Sequence, residues 1–285
     1  MESASFLKFL IAVSGVFIIR HTINAQVSLS PTALFIRDDT CLGELYISNP
    51  SGNDILEVTV YAEFGYPAPG PEGDLMMVSH DTLRAATSCF ASRLRIFPRS
   101  FLLMPRQQQV VRLQVRPDRE KPDQAWFTRI IVRSGLPTPD AGTATIKTED
   151  DARVRYVFKQ NIPAFFMKGK VSTGIRIISL EIQPADRGLT IWAEIMPYGN
   201  APFLGSLSVS LQAEDQKKST IHQQSVAFYV EGSYRFAVPL QMDQLKPGHY
   251  EVECLFETRR SDISANDLIQ ADSVMIRKSM ELGLP

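Results

Sequence analysis

The chain is written almost throughout in short segments rich in β-branched and aromatic residues, cut apart by clusters of Pro, Gly, Asn and Asp. That punctuation leaves little room for anything but β-structure. Gln26 to Ile36, Leu42 to Ser48 and Ile55 to Glu63 read as the opening strands, divided by Asp38-Asp39 and by Asn49-Pro50-Ser51-Gly52-Asn53. Tyr66-Pro67-Ala68-Pro69-Gly70-Pro71-Glu72-Gly73 is predicted to be a loop, since Pro removes backbone donors and Gly stiffens nothing. Asp81 to Ser92, with an Asp start and an Ala-rich middle, is predicted as one short helix. Strands resume at Leu94, at Gln109 to Val115 and at Trp126 to Arg133, and a loop from Gly135 to Thr143 leads to one more. After Met167-Lys168-Gly169-Lys170 the pattern restarts with Ile175 to Ile182, Leu189 to Met196, Leu204 to Leu211, Gln224 to Tyr229, Tyr234 to Pro239, Tyr250 to Glu257 and Asp272 to Arg277.

The expected fold class is therefore all-β, with two immunoglobulin-like β-sandwiches in tandem over 26–168 and 169–285. A content of 44% hydrophobic residues in 285 suits two modest cores better than one large one. No period of the solenoid kind repeats along the chain. Residues 1–25 read as a signal peptide: Lys8 precedes the apolar run Phe9 to Ile19, and Thr22-Ile23-Asn24-Ala25 offers small residues for cleavage before Gln26. The run is shorter than the roughly 20 apolar residues that span a bilayer, and Arg20 and His21 end it. The expected location is the periplasm, without stable membrane insertion once the leader is removed.

Charge and residue chemistry exclude several functions. A formal net charge of −1, with no run of Lys and Arg interleaved with aromatics, gives no handle for nucleic acid. The four histidines, His21, His80, His222 and His249, are scattered and do not share one element at ligand spacing. No phosphate-cradling Gly-rich loop, nucleophile elbow or Cys-x-x-Cys is present, so no catalytic residue, metal or cofactor is expected. Glu149-Asp150-Asp151 and Glu214-Asp215 read as solvated turns. Of three cysteines, Cys254 is expected as a buried thiol between solvated Glu251, Glu253 and Glu257, while Cys41 and Cys89 could pair in an oxidising compartment.

The stretch from Ala152 to Phe166 alternates most clearly. Val154, Tyr156, Phe158 and, after a break at Gln160, Ile162 form an apolar row against Arg155, Val157, Lys159 and Asn161. Strand side chains point to opposite faces with period two, so this row shares one face. It suits either an ordinary half-buried strand or a surface offered to a partner.

The order of segments from Gln26 to Gly169 resembles the PapD-like periplasmic pilus chaperones. Val27-Ser28-Leu29-Ser30-Pro31-Thr32 looks like their opening strand, and Leu45-Tyr46-Ile47-Ser48-Asn49 like their second. Phe97-Pro98-Arg99-Ser100-Phe101-Leu102-Leu103-Met104-Pro105 followed by Gln109-Val110-Val111-Arg112-Leu113 is the most specific match. Trp126 to Val132 and Ile162 to Phe166 resemble the last two strands of that domain. The resemblance implies a chaperone that lends its final strand to a pilus or fibre subunit, with an outer-membrane usher as a further partner. Val154, Tyr156, Phe158 and Ile162 fall at the donor positions it implies. That family holds the subunit's terminal carboxylate with two basic side chains, but the corresponding positions here read Ala33 and Pro163. Arg37 or Lys168 are the candidate substitutes. Three buried apolar side chains contribute about 1.5 to 3 kcal/mol each, against an association cost of about 4 to 15 kcal/mol. Backbone pairing or a substitute cation has to supply the remainder. The alternative reading is a non-catalytic structural or adhesive sandwich protein of the cell envelope whose row packs inward.

Overall fold

The computed structural model describes residues 26–137, 156–213, 217–240 and 248–282. The predicted leader, Val154, the Glu149-Asp150-Asp151 cluster and the Glu214-Asp215 pair lie outside the described residues. Eleven strands precede the joint: β1 (Ser28–Ser30), β2 (Leu34–Arg37), β3 (Leu42–Ser48), β4 (Leu56–Glu63), β5 (Tyr66–Pro69), β6 (Leu75–Val78), β7 (Leu94–Phe97), β8 (Ser100–Leu103), β9 (Gln108–Val115), β10 (Gln124–Gly135) and β11 (Val157–Lys168). They form one sheet in the order β1-β3-β9-β7 facing another in the order β2-β11-β10-β4-β8, with β5 and β6 as a separate pair. That is the immunoglobulin arrangement, with the first sheet in ABED order and the third, sixth and seventh strands opposite.

The second sandwich holds β12 (Thr173–Ala185), β13 (Gly188–Gly199), β14 (Phe203–Ala213), β15 (Ser219–Phe228), β16 (Gly232–Pro239), β17 (Gly248–Glu257) and β18 (Val274–Leu282). Its sheets run β12-β13-β16 and β15-β14-β17-β18. Alternation builds each core. Leu45, Ile47, Val111 and Leu113 meet Val58, Val60, Ile130, Val132 and Phe166 in the first, and Ile191, Ile195 and Phe236 meet Leu207, Val209, Val252 and Phe256 in the second. Phe228 fills the middle of the second core among Phe203, Tyr234, Phe236 and Phe256.

A third apolar cluster joins the two sandwiches. Phe127 of β10 and Phe165 of β11 point away from the first core and pack on the buried Tyr229, with ring centroids 4.9 and 6.3 Å from it. Tyr66, Leu204 and Leu268 complete the cluster. Burial pushes the Tyr66 phenol up to about 12, helped by its hydrogen bond to Asp81, the residue that also caps the helix α1 (Thr82–Ser88) through the Arg84 amide. The predicted helix is thus present, in the shorter span that one cap supports.

Three expectations change. The segment from Gln26 to Ile36 is two strands in different sheets, because Pro31 lacks an N–H and fixes its own φ, so the ladder stops there. The expected loop at Tyr66 to Gly73 contains a strand, β5, paired with β6. Gly70 N–H donates to Asp74 O at 2.8 Å, so residues 66, 68 and 70 turn their backbone groups toward β6, and Pro67 and Pro69 fall on the side that needs no donor. The hairpin tip rests on the second sandwich: Gly73 O accepts from Arg235 N at 3.0 Å, and Asp74 pairs with the Arg235 side chain. Gly73 has φ +75°, and a Cβ there would come within 2.8 Å of the Trp192 ring, so glycine is required. Finally, Cys41 and Cys89 are both free thiols: Cys41 Sγ donates to Asp38 O, and Cys89 lies against Thr128 and the Ala91 amide. Each has local partners, and the bridge is not formed.

Cys254 is buried as expected, but Glu253 beside it is buried too rather than solvated. The hydrogen bond from Lys218, and with it that from Arg277 at 2.9 Å, holds its carboxyl below the ordinary carboxylate range despite burial. The folded-state value of Glu253 therefore lies below the unfolded one. This contribution is complete above the unfolded carboxylate pKa of about 4.3 and is lost as pH falls through the lower folded value. Urea titrations from pH 6 downward are expected to show a stability loss that Glu253→Gln reduces; parallel curves for the two proteins would contradict it.

Candidate functional site

The two edges of β11 are unequally paired. Its inner edge pairs antiparallel with β10 over its whole length, from Val157↔Gly135 to Lys168↔Gln124. Its outer edge pairs parallel with β2 only from Ala164↔Leu34 to Met167↔Arg37. Because β1 has crossed to the opposite sheet, no strand among the described residues covers the outer edge from Val157 to Pro163. Beside this open edge lies a cleft of about 720 Å³, lined by Gln26, Val27, Ser28, Leu29, Thr32 and Pro50 on one wall and by Gln160, Asn161 and Ile162 on the other.

The apolar row grades from inside to outside along this strand. Phe166 and Ala164 are fully buried in the first core, Ile162 is 6% exposed, and Phe158 packs only partly against the same core. Tyr156 and Val157 are 48% and 47% exposed. Ile162, expected as a donor side chain, is a buried member of the protein's own first core and only borders the cleft. Val154 lies outside the described residues. Tyr156 and Phe158 are thus the predicted row members with surface left to offer.

Exposed edges normally carry charge to repel other chains. Lys159 is the edge's one cation, and it is drawn back over the sheet to Glu63, 2.9 Å away, with its ammonium 5.9 Å from the Tyr61 ring centroid. An ion pair this exposed adds little stability. Its effect here is to leave the edge itself unguarded.

Both candidate anchors already hold backbone carbonyls of the protein itself. Arg37 donates to Asn266 O at 2.6 Å, across the joint, and Lys168 donates to Arg119 O and Lys121 O with Asp123 4.0 Å away. Both hold the sandwiches and loops together. Ala33 is buried, and Pro163 sits half-buried on the outward face of β11.

The cation that the fold does bring to this place is Arg129, which sequence reading passed over. It stands on β10 directly opposite Pro163 on one side and Glu63 on the other. Glu63 is taken by Lys159, so the partner of Arg129 is the neutral Asn161 side chain, 2.8 Å from Nε. No carboxylate among the described residues is in ion-pair contact with it. Burial pulls its guanidinium below the ordinary arginine value, and the nearby Tyr229 offsets only part of that. A half-buried guanidinium without a counter-charge invites an anion. The available signal was an arginine at an outward position of a strand otherwise written Trp-Phe-Thr-x-Ile-Ile-Val, but only register shows that its acidic neighbour is occupied.

No family model matches the chain, and no curated protein matches it. Solved structures do. The YadV chaperone is 12% identical with a TM-score of 0.44, covering 90% of this chain and 99% of that one. The E. coli chaperone DraB is 12% identical with a TM-score of 0.44, over 91% and 98%. The CsuC–CsuE chaperone–tip adhesion subunit complex of Acinetobacter baumannii is 10% identical with a TM-score of 0.43, over 89% and 98%. Likeness at this level transfers no residue role to this chain.

Antiparallel pairing to β10 protects alternate amides of β11, leaving the others facing outward. Hydrogen exchange is therefore expected to be fast at about half of the amides between Val157 and Asn161, and slow at the outward amides between Ala164 and Met167, where β2 lies. Uniform protection along the strand would show the edge to be covered.

Proposed function

We propose that this protein is a periplasmic assembly chaperone that captures a pilus or surface-fibre subunit by lending it the open edge of β11. One observation carries the reading: a seven-residue outer edge without a backbone partner among the described residues, with Tyr156 and Val157 exposed and Phe158 half-buried. Strand addition to such an edge gives affinity through main-chain hydrogen bonds and register through the alternating side chains. A subunit lacking a strand of its own is a partner with matching needs. The leader read over 1–25 supports a location outside the cytoplasm, and an usher would then be the next protein to receive the complex. Arg129 is the group we assign to a client carboxylate, in place of Ala33 and Pro163.

The packing of Ile162 and Phe158 against the first core supports the competing reading, a structural or adhesive module whose row merely completes its own sandwich. Tyr156 separates the two. Tyr156→Arg, at a half-exposed position, is expected to change stability by no more than about 0.5 kcal/mol while weakening subunit capture at least tenfold. Unchanged capture by a folded Tyr156→Arg protein would reject the chaperone reading. Arg129→Ala is expected to weaken capture of a client with a free terminal carboxylate by about tenfold or more, and to leave an amidated client nearly unaffected. Equal losses for both client forms would remove Arg129 from the anchoring role.

A further inference from the structure

Gln160 interrupts the apolar row at the middle of the open edge, between Phe158 and Ile162 on the same face. A Val or Leu there would continue the pattern. The side chain instead places its Oε1 out of reach of solvent with no hydrogen-bond partner among the described residues. Arg84, Arg93, Trp126 and Ser206 also carry unpaired buried atoms, but each of them lies away from this edge. Gln160 lies on it, and it forms one wall of the cleft whose other wall presents Gln26, Ser28 and Thr32. A buried acceptor left unpaired destabilises the free protein; because Gln160 lines the cleft, a turn of its amide about the terminal torsion would bring the oxygen to a partner's donor and remove that penalty on binding.

We infer that Gln160 sets register and selects clients: the strand that pairs with β11 carries a hydrogen-bonding side chain, an amide or a hydroxyl, facing Gln160 within an otherwise apolar row. This rests on the reading of β11 as a lent edge. The preferred client face is apolar, polar, apolar rather than uniformly apolar. An all-apolar strand leaves the Gln160 amide unpaired in the contact, so it binds less tightly however well its other residues pack. A carboxylate at the same level would be received by the amide N–H, but it would be desolvated between Phe158 and Ile162 without a cation. Arg129 faces the opposite side of the sheet from the row, since it lies opposite the odd-numbered Pro163. Neutral donors and acceptors are therefore favoured over charge.

The test uses the whole protein and synthetic extended peptides matched in length to the edge, alternating Val and Thr, with one inward-facing position carried as Gln, Ser, Leu or Asp. Binding is read by calorimetry or fluorescence anisotropy. The expected order is Gln and Ser above Leu by about tenfold, with Asp weakest. In Gln160→Leu the preference is expected to reverse in favour of Leu, and in Gln160→Asn the original order is expected to persist. Peptides that all bind equally to the native protein would overturn the inference while leaving strand capture standing. If no peptide binds and outward amides of β11 gain no protection, strand capture itself fails. Should Gln160→Leu not fold, the peptide order on the native protein still decides.

Discussion

A β-strand in the middle of a sheet satisfies both of its backbone edges, and β11 satisfies one edge fully and the other only over its last few residues. The cause lies far away in sequence. Pro31 ends the ladder of β1 with β3, and the chain crosses to the other sheet before β2 can pair. β2 is short, so it reaches Ala164 to Met167 and stops. The open edge, the adjoining cleft and the gradient from buried Phe166 to exposed Tyr156 all follow from that single crossing.

The joint between the sandwiches gives this edge a fixed setting. Phe127 and Phe165 leave the first core on the outward face of the same sheet and close on Tyr229, and the β5–β6 hairpin adds a clasp from Asp74 to Arg235. The joint takes up the cations that looked free. Arg37 and Lys168 are bound to backbone carbonyls there. Among the described residues Arg129 stays uncompensated, because Glu63, its cross-strand neighbour, is claimed by Lys159 from the next strand over.

Most strands were legible because a half-buried strand must alternate, and the turns between them carry residues that fit few other conformations. The seven strands of the second sandwich come out where alternation placed them. The β5–β6 hairpin was not legible, since two prolines in four residues look prohibitive until pairing shows that both lie on the unbonded side. Glu253 misled for a related reason. Alternation marks it as outward, but Lys218 and Arg277 fold over that outward face and bury it. At the candidate site the row Tyr156, Phe158, Ile162 was readable as a shared face, whereas its division between core and surface was not.

Sequence by itself determined the fold class, the position of most strands, the shared face of the β11 row and the polar break at Gln160. These depend on local periodicity, which the chain carries from one residue to the next. Tertiary structure alone decided, among the described residues, which edge of β11 is open, which cation lacks a counter-charge and whether two cysteines meet. Those depend on strand order and register, and residues far apart in the chain, such as Leu34 with Ala164 or Glu63 with Lys159, become neighbours only once the sheets are assembled.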